Sequence, residues 1–79
     1  MLPEKQQQVF EIIARTLEIP VSQVDAELAI GSIPQWDSMA QLAIVSALEE
    51  AFSITFDVDE LFEVENVGDF LKLLDAQEA

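Results

Sequence analysis

The sequence predicts an all-α chain: a small four-helix bundle with a short third helix and a long loop between the first two helices. Three observations carry that expectation. Apolar residues recur at steps of three and four through most of the 79 residues, the spacing of helices that each bury one stripe. Pro20, Gly31 and Pro34 fall between the periodic runs, where turns belong. The stretch with strand propensity, Ile54-Thr55-Phe56, has no second strand to pair with, and a lone strand is not stable.

The first helix spans residues 3–17. Pro3 suits a first turn, where its missing N–H has no helical partner, and Glu4 sits at the positive end of the helix dipole. Val9, Phe10, Ile13 and Leu17 make its apolar stripe, and Pro20 stops it. Residues 18–36 form the long connection. Ile19, Val21, Val24, Leu28, Ile30, Ile33 and Trp36 recur through it, so it is expected to lie against the core rather than swing free. Ser22 and Asp25 have the spacing to cap one short turn inside it.

The second helix covers residues 37–52, with Met39, Leu42, Val45, Leu48 and Phe52 at helical steps. Ser38 and Gln41 match a capping box, and Asp37 competes as the cap one residue earlier. A short third helix lies in residues 57–64. Asp57 and Glu60 have capping spacing there, and Leu61 and Phe62 are expected to point inward. Asn66 with Asp69 opens the last helix, about 66–76, with Val67, Phe70, Leu71 and Leu74 on one face. Gly68 weakens its first turn slightly. The expected core is Phe10, Ile13, Leu17, Leu42, Val45, Leu48, Phe52, Leu61, Phe62, Phe70, Leu71 and Leu74.

Composition narrows the function. At 51% hydrophobic the chain is too apolar for disorder, and 79 residues make one domain, 1–79. Its 16 acidic and 3 basic residues leave a net charge of −13. Nucleic acid and anionic membrane surfaces both want a basic face, so neither is an expected partner. There is no Cys, no His and no Tyr. That removes disulfides, Cys/His zinc sites, cysteine nucleophiles and any Ser–His dyad. No signal peptide and no bilayer-spanning run is visible. The expectation is a cytoplasmic, monomeric, non-enzymatic domain with no resident metal. Met1 and the short tails fit a chain that stands alone.

Ser38 carries two compatible readings. It can cap a helix, or present a hydroxyl where free backbone amides and the helix dipole favour a phosphate. It cannot activate itself, because the chain lacks His and its cations, Lys5, Arg15 and Lys72, are distant in sequence. If Ser38 reacts, another enzyme supplies the catalysis. The acidic surface also reads two ways, as a solvated face or as a docking surface for basic partners. Of the 16 acids, 12 lie between Thr16 and Leu71, where no basic residue occurs. Self-repulsion on that scale favours the docking reading. Glu49 and Glu50 on the second helix, with Asp57, Asp59, Glu60 and Glu63 on or near the third, are its candidates. Asp57-x-Asp59 starts like an EF-hand loop, but Phe62 stands where that loop needs Gly. Trp36 reads first as an aromatic anchor for the loop, and second as a wall beside a group attached to Ser38.

The run Trp36-Asp37-Ser38-Met39, followed by Leu42, Ala47-Leu48-Glu49-Glu50 and Phe52, resembles the acyl carrier and peptidyl carrier proteins. In that family an Asp-Ser-Leu/Met triplet opens the second helix, and its serine carries a 4′-phosphopantetheine arm. The resemblance covers nearly the whole chain, including its acidity, long first loop and short third helix. It implies that Ser38 is the attachment site and that Asp37, Met39 and Trp36 surround it. A phosphopantetheinyl transferase would move the arm from coenzyme A with Mg²⁺, and cargo would ride on the arm's thiol as a thioester. A cargo-loading ligase or acyltransferase and downstream synthases with basic docking patches would read Met39, Glu49, Glu50, Asp59 and Glu60. Ala43, neutral Gln41 and Trp36 depart from the fatty-acid type. They point to a specialised discrete carrier of lipid, polyketide or nonribosomal peptide type. On the residues alone, an unmodified small acidic helical adaptor for basic partner proteins remains the alternative.

Overall fold

The computed structural model describes residues 3–78; residues 1, 2 and 79, the outermost ends of the expected domain, lie outside them. Four helices follow in order: α1 (Pro3–Leu17), α2 (Ser38–Phe52), α3 (Val58–Leu61) and α4 (Val67–Glu78). A single 3-10 turn, Val21–Gln23, interrupts the long connection. Residues 54–56 form no strand, and an isolated antiparallel bridge joins Ala29 to Asn66.

The helices α1 and α2 stop by the same device. Glu18 and Ser53 each take a left-handed conformation, at φ 60° and 55°. The next amide then reaches back five residues, from Ile19 to Ala14 O at 3.0 Å and from Ile54 to Glu49 O at 3.1 Å. Such a turn covers carbonyls that the helix leaves open.

One cluster of buried residues joins α1, α2, α4 and the connection, and α3 packs against it through the half-buried Leu61. Val9, Ile13, Trp36, Ile44, Leu48, Val67 and Phe70 are fully buried at 0% exposure. Phe56 and Phe70 pack tilted at 53°, ring centroids 6.1 Å apart, a favourable aromatic geometry. Six of the expected core residues are buried: Ile13, Leu17, Val45, Leu48, Phe70 and Leu74. Phe10, Phe52, Leu61 and Leu71 are half-buried against the cluster. Two are not core at all: Leu42 is 64% exposed and Phe62 is 83% exposed. The α2 segment is apolar at most positions from 39 to 48, so two stripes fit its sequence. The stripe through Ile44 and Leu48 enters the core, and Leu42 is left on its shoulder. Because α3 is one turn long, it buries one side only: Leu61 leans in, and Phe62 at its C-terminus turns out.

The long connection lies against the core through the buried Val24 and Trp36 and the half-buried Ile19, Leu28 and Ile33, but Val21 and Ile30, expected there too, are exposed because the chain turns outward at those positions. Asp25 caps, but not with Ser22: its Oδ1 accepts the amides of Glu27 and Leu28, both at 2.9 Å. The 3-10 turn itself has no side-chain cap. Backbone bonds stitch the connection to the start of α4, with Val67 N donating to Leu28 O at 2.9 Å and Ile30 N to Glu65 O at 3.0 Å. Gly68 N donates to Ala26 O at 2.9 Å. A Cβ at Gly68 would stand only 3.1 Å from that oxygen, so the glycine that weakens the helix also lets the loop approach. The expected Asn66–Asp69 cap is present and reciprocal: Asn66 Oδ1 accepts from Asp69 N at 2.9 Å, and Asp69 Oδ2 accepts from Asn66 N at 3.4 Å and from Glu65 N at 2.9 Å.

The start of α2 resolves the competing caps. Asp37 is the N-cap, in an extended conformation, and its Oδ1 accepts the Ala40 amide at 2.9 Å. The Ser38–Gln41 box does not form. Ser38 is already the first helical residue, and Gln41 Oε1 instead accepts the Trp36 indole N–H at 2.8 Å.

Three stability outcomes follow from this packing. Leu48→Ala opens a hole in a fully buried site and is expected to cost about 2–5 kcal/mol; an unchanged melting temperature would contradict the burial. Asp37→Ala removes the cap and is expected to cost about 1 kcal/mol. Ser38→Ala removes none, so chemical denaturation should find it within about 0.5 kcal/mol of the parent.

Candidate functional site

Ser38 is exposed, on the first turn of α2. The first amides of any helix lack partners within it. Here Asp37 covers Ala40, while the amides of Ser38 and Met39 take no bond among the described residues. Two open donors and the positive end of a 15-residue helix therefore surround the hydroxyl, a setting that favours an attached or bound phosphate. The hydroxyl has no imidazole or thiol to activate it, since the chain contains neither. What the site can do by itself is accept and hold a group, not transfer one.

Beside Ser38 a cleft of about 530 Å³ runs between α2 and α3. Ile30, Leu42, Val45, Val58, Leu61, Phe62 and Val64 line it, together with Ser38 and Gln41. This accounts for the two exposed residues expected in the core: Leu42 and Phe62 are walls of an open apolar cleft. The sequence signal for it was the second apolar stripe on α2. Val58 carried no sequence signal and Ile30 was expected in the core instead, because a one-turn helix and a loop have no period from which to read a face.

The structure separates the expected site residues. Met39 is 75% exposed next to Ser38. Trp36 is at 0% exposure, so its ring anchors the loop, is not part of the cleft lining, and is bonded to that lining through Gln41. Glu49 is half-buried, and its Oε2 accepts the Phe56 amide at 2.9 Å. That bond straps the segment before α3 onto α2. Glu50 lies on another face, in a groove with Ile12 and Arg15 of α1. Asp59 is exposed on α3. Glu60 accepts the Asp57 amide at 3.3 Å and borders a separate groove with Lys72. No carboxylate occurs on α2 between Asp37 and Glu49. The rim near Ser38 is therefore apolar on the α2 side and acidic on the α3 side. No group of three or more potential metal ligands gathers among the described residues, and no helix there is long and apolar enough to cross a membrane.

With that geometry in view, the chain matches the family described as "Phosphopantetheine attachment site" over residues 7–74. It is 33% identical to Acyl carrier protein 3 of Ralstonia nicotianae over 69 residues, covering 87% of this chain and 79% of that protein. Its fold is similar to the solution NMR structure of a holo acyl carrier protein from Nitrosomonas europaea, at a TM-score of 0.76 and 27% identity. That superposition covers 91% of this chain and 93% of the other. Proteins of this kind are carriers rather than enzymes, and their partners are transferases and synthases. A match across most of the chain, on the four-helix fold described above, places it in the acyl carrier protein family, whose members work through a covalently attached 4′-phosphopantetheine.

Proposed function

We propose that Ser38 carries the 4′-phosphopantetheine arm, and that residues 1–79 act as a single, discrete, specialised carrier domain. The observation that supports this most directly is the exposed Ser38 hydroxyl between two open helix amides, on the rim of an apolar cleft. The residues present fit the group. The Ser38 and Met39 amides are free to receive its phosphate, and the cleft offers apolar surface along its path. The arm supplies a terminal thiol on which cargo rides as a thioester, chemistry that a chain without cysteine otherwise lacks.

Asp37 has a double task in this reading. Its Oδ1 caps α2, which leaves the other carboxylate oxygen for the transferase or the Mg²⁺ that enzyme uses. Met39 and Asp59, both exposed, are the proposed contacts for the loading ligase or acyltransferase and the downstream synthases. Glu60 contributes charge at the α3 end, and Glu50 contributes it on the far face. Glu49 acts mainly by holding the Phe56 segment in place. Basic patches on partners would speed encounter with this acidic surface more than they would tighten it. The apolar α2 face near Ser38 supports a dedicated loading enzyme rather than a housekeeping fatty-acid role. Cytoplasmic, monomeric action is part of the same reading.

Intact mass tests the attachment. The protein is incubated with coenzyme A, Mg²⁺ and a broad-specificity phosphopantetheinyl transferase, beside Ser38→Ala. The parent is expected to gain one phosphopantetheine and the variant none. A folded, unmodified parent that gains nothing would return the unmodified acidic adaptor to first place. Loading of the holo form by adenylating or acyl-activating enzymes is expected next. Acceptance of cargo from a malonyl transferase alone would refute the specialised role.

A further inference from the structure

The Trp36–Gln41 hydrogen bond has no role in the attachment chemistry described above, yet it determines what the cleft presents. The Trp36 side chain is fully buried at 0% exposure. Its indole N–H donates and cannot accept, so a buried indole needs an acceptor. Gln41 Oε1 fills that need at 2.8 Å. The identity of the donor therefore fixes which way the Gln41 amide faces: the oxygen toward Trp36, the nitrogen away from it. No buried side-chain nitrogen or oxygen is left without a partner among the described residues. The Gln41 Nε2, which makes no bond of its own there, is accordingly open. Gln41 lines the cleft between α2 and α3. Apart from Ser38, every other residue of that lining is apolar.

We propose that Gln41, held in one orientation by Trp36, donates its side-chain N–H to an amide carbonyl oxygen of the phosphopantetheine arm and so seats the arm along the cleft. This rests on Ser38 being the attachment site. Three features of the site select that ligand chemistry. First, Nε2 only donates, so its partner must be an acceptor. Second, the wall around it is apolar, while Asp57, Asp59 and Glu63 stand exposed around α3. A neutral acceptor such as a carbonyl fits there, and a carboxylate does not. Third, Ser38 and Gln41 are three residues apart on one helix, so their side chains are neighbours on one face. A chain leaving the Ser38 oxygen for the cleft passes Gln41 well before its terminal thiol, where the first amide follows the phosphate and pantoyl unit. Cargo on the terminal thiol lies at the arm's far end. Because the buried indole already fixes Gln41, little side-chain freedom remains to be lost when the bond forms.

Nuclear magnetic resonance of the intact chain tests the proposal, with the parent, Gln41→Glu and Gln41→Met compared. Glu keeps an acceptor for Trp36 and removes the donor; Met removes both without adding charge. Intact mass first establishes which proteins carry the arm, so a failure of the Ser38 reading is seen separately. In the parent, the Gln41 side-chain amide protons are expected to shift, and to exchange with solvent more slowly, on conversion from apo to holo. An isotope-labelled arm is expected to give restricted-motion signals in the parent and free-arm signals in both variants. The Trp36 indole proton of Gln41→Glu, if still at its bonded position, reports an intact loop. Gln41 protons that do not respond to the arm would overturn the proposal. So would an arm equally mobile in all three proteins. A response that appears only after cargo is loaded would also overturn it, and would assign the donor to a cargo carbonyl instead.

Discussion

The rest of the structure depends on burying one indole at the end of a loop. Trp36 is the largest fully buried side chain among the described residues, and burying a ring of that size is a large apolar contribution. Its backbone carbonyl accepts the Gly31 amide at 2.9 Å, closing a turn in which Gly31 takes φ 82°. Its side chain reaches five residues forward to Gln41. The loop end, the Asp37 cap and the first turn of α2 thus form one unit. With Trp36 turned inward and Asp37 capping, Ser38 opens the helix from the outside.

The acidity of the chain has a structural share that neither a solvated face nor a docking face describes. The carboxylates of Asp25, Asp37, Glu49, Glu60 and Asp69 accept backbone amides. Charge-assisted bonds of this kind satisfy helix and turn donors that have no other partner. With only 3 basic side chains available, the backbone itself supplies much of the local positive potential. The carboxylates left exposed near the site lie mostly around α3. Partner-facing charge and an apolar α2 face therefore meet at the edge of one cleft.

That cleft depends on a short helix held at a distance. Glu49 fixes the Phe56 amide to α2, and Phe56 packs on Phe70 of α4. The chain then turns through α3, which is too short to press its whole apolar content onto α2. Leu42 and Phe62 are left facing open space for this reason. Exposed apolar walls are a cost to a lone domain, and beside Ser38 they suit the proposed carrier role, in which an arm needs a surface to lie on.

The sequence by itself determined the helices and the place of the serine. Period, Pro and Gly positions and capping residues act within a few residues of each other, so the bounds of α1 matched and those of α2 and α4 came within two residues. The same local logic located Ser38 at a helix start and, through the Trp-Asp-Ser-Met run, the family. Only the tertiary structure decided which of two apolar stripes on α2 enters the core, because that depends on where α1 lies. It also decided that Asp37 caps while Gln41 serves Trp36. Both options satisfy the spacing rules, and the burial of the indole, with a donor that must be paired, selects between them.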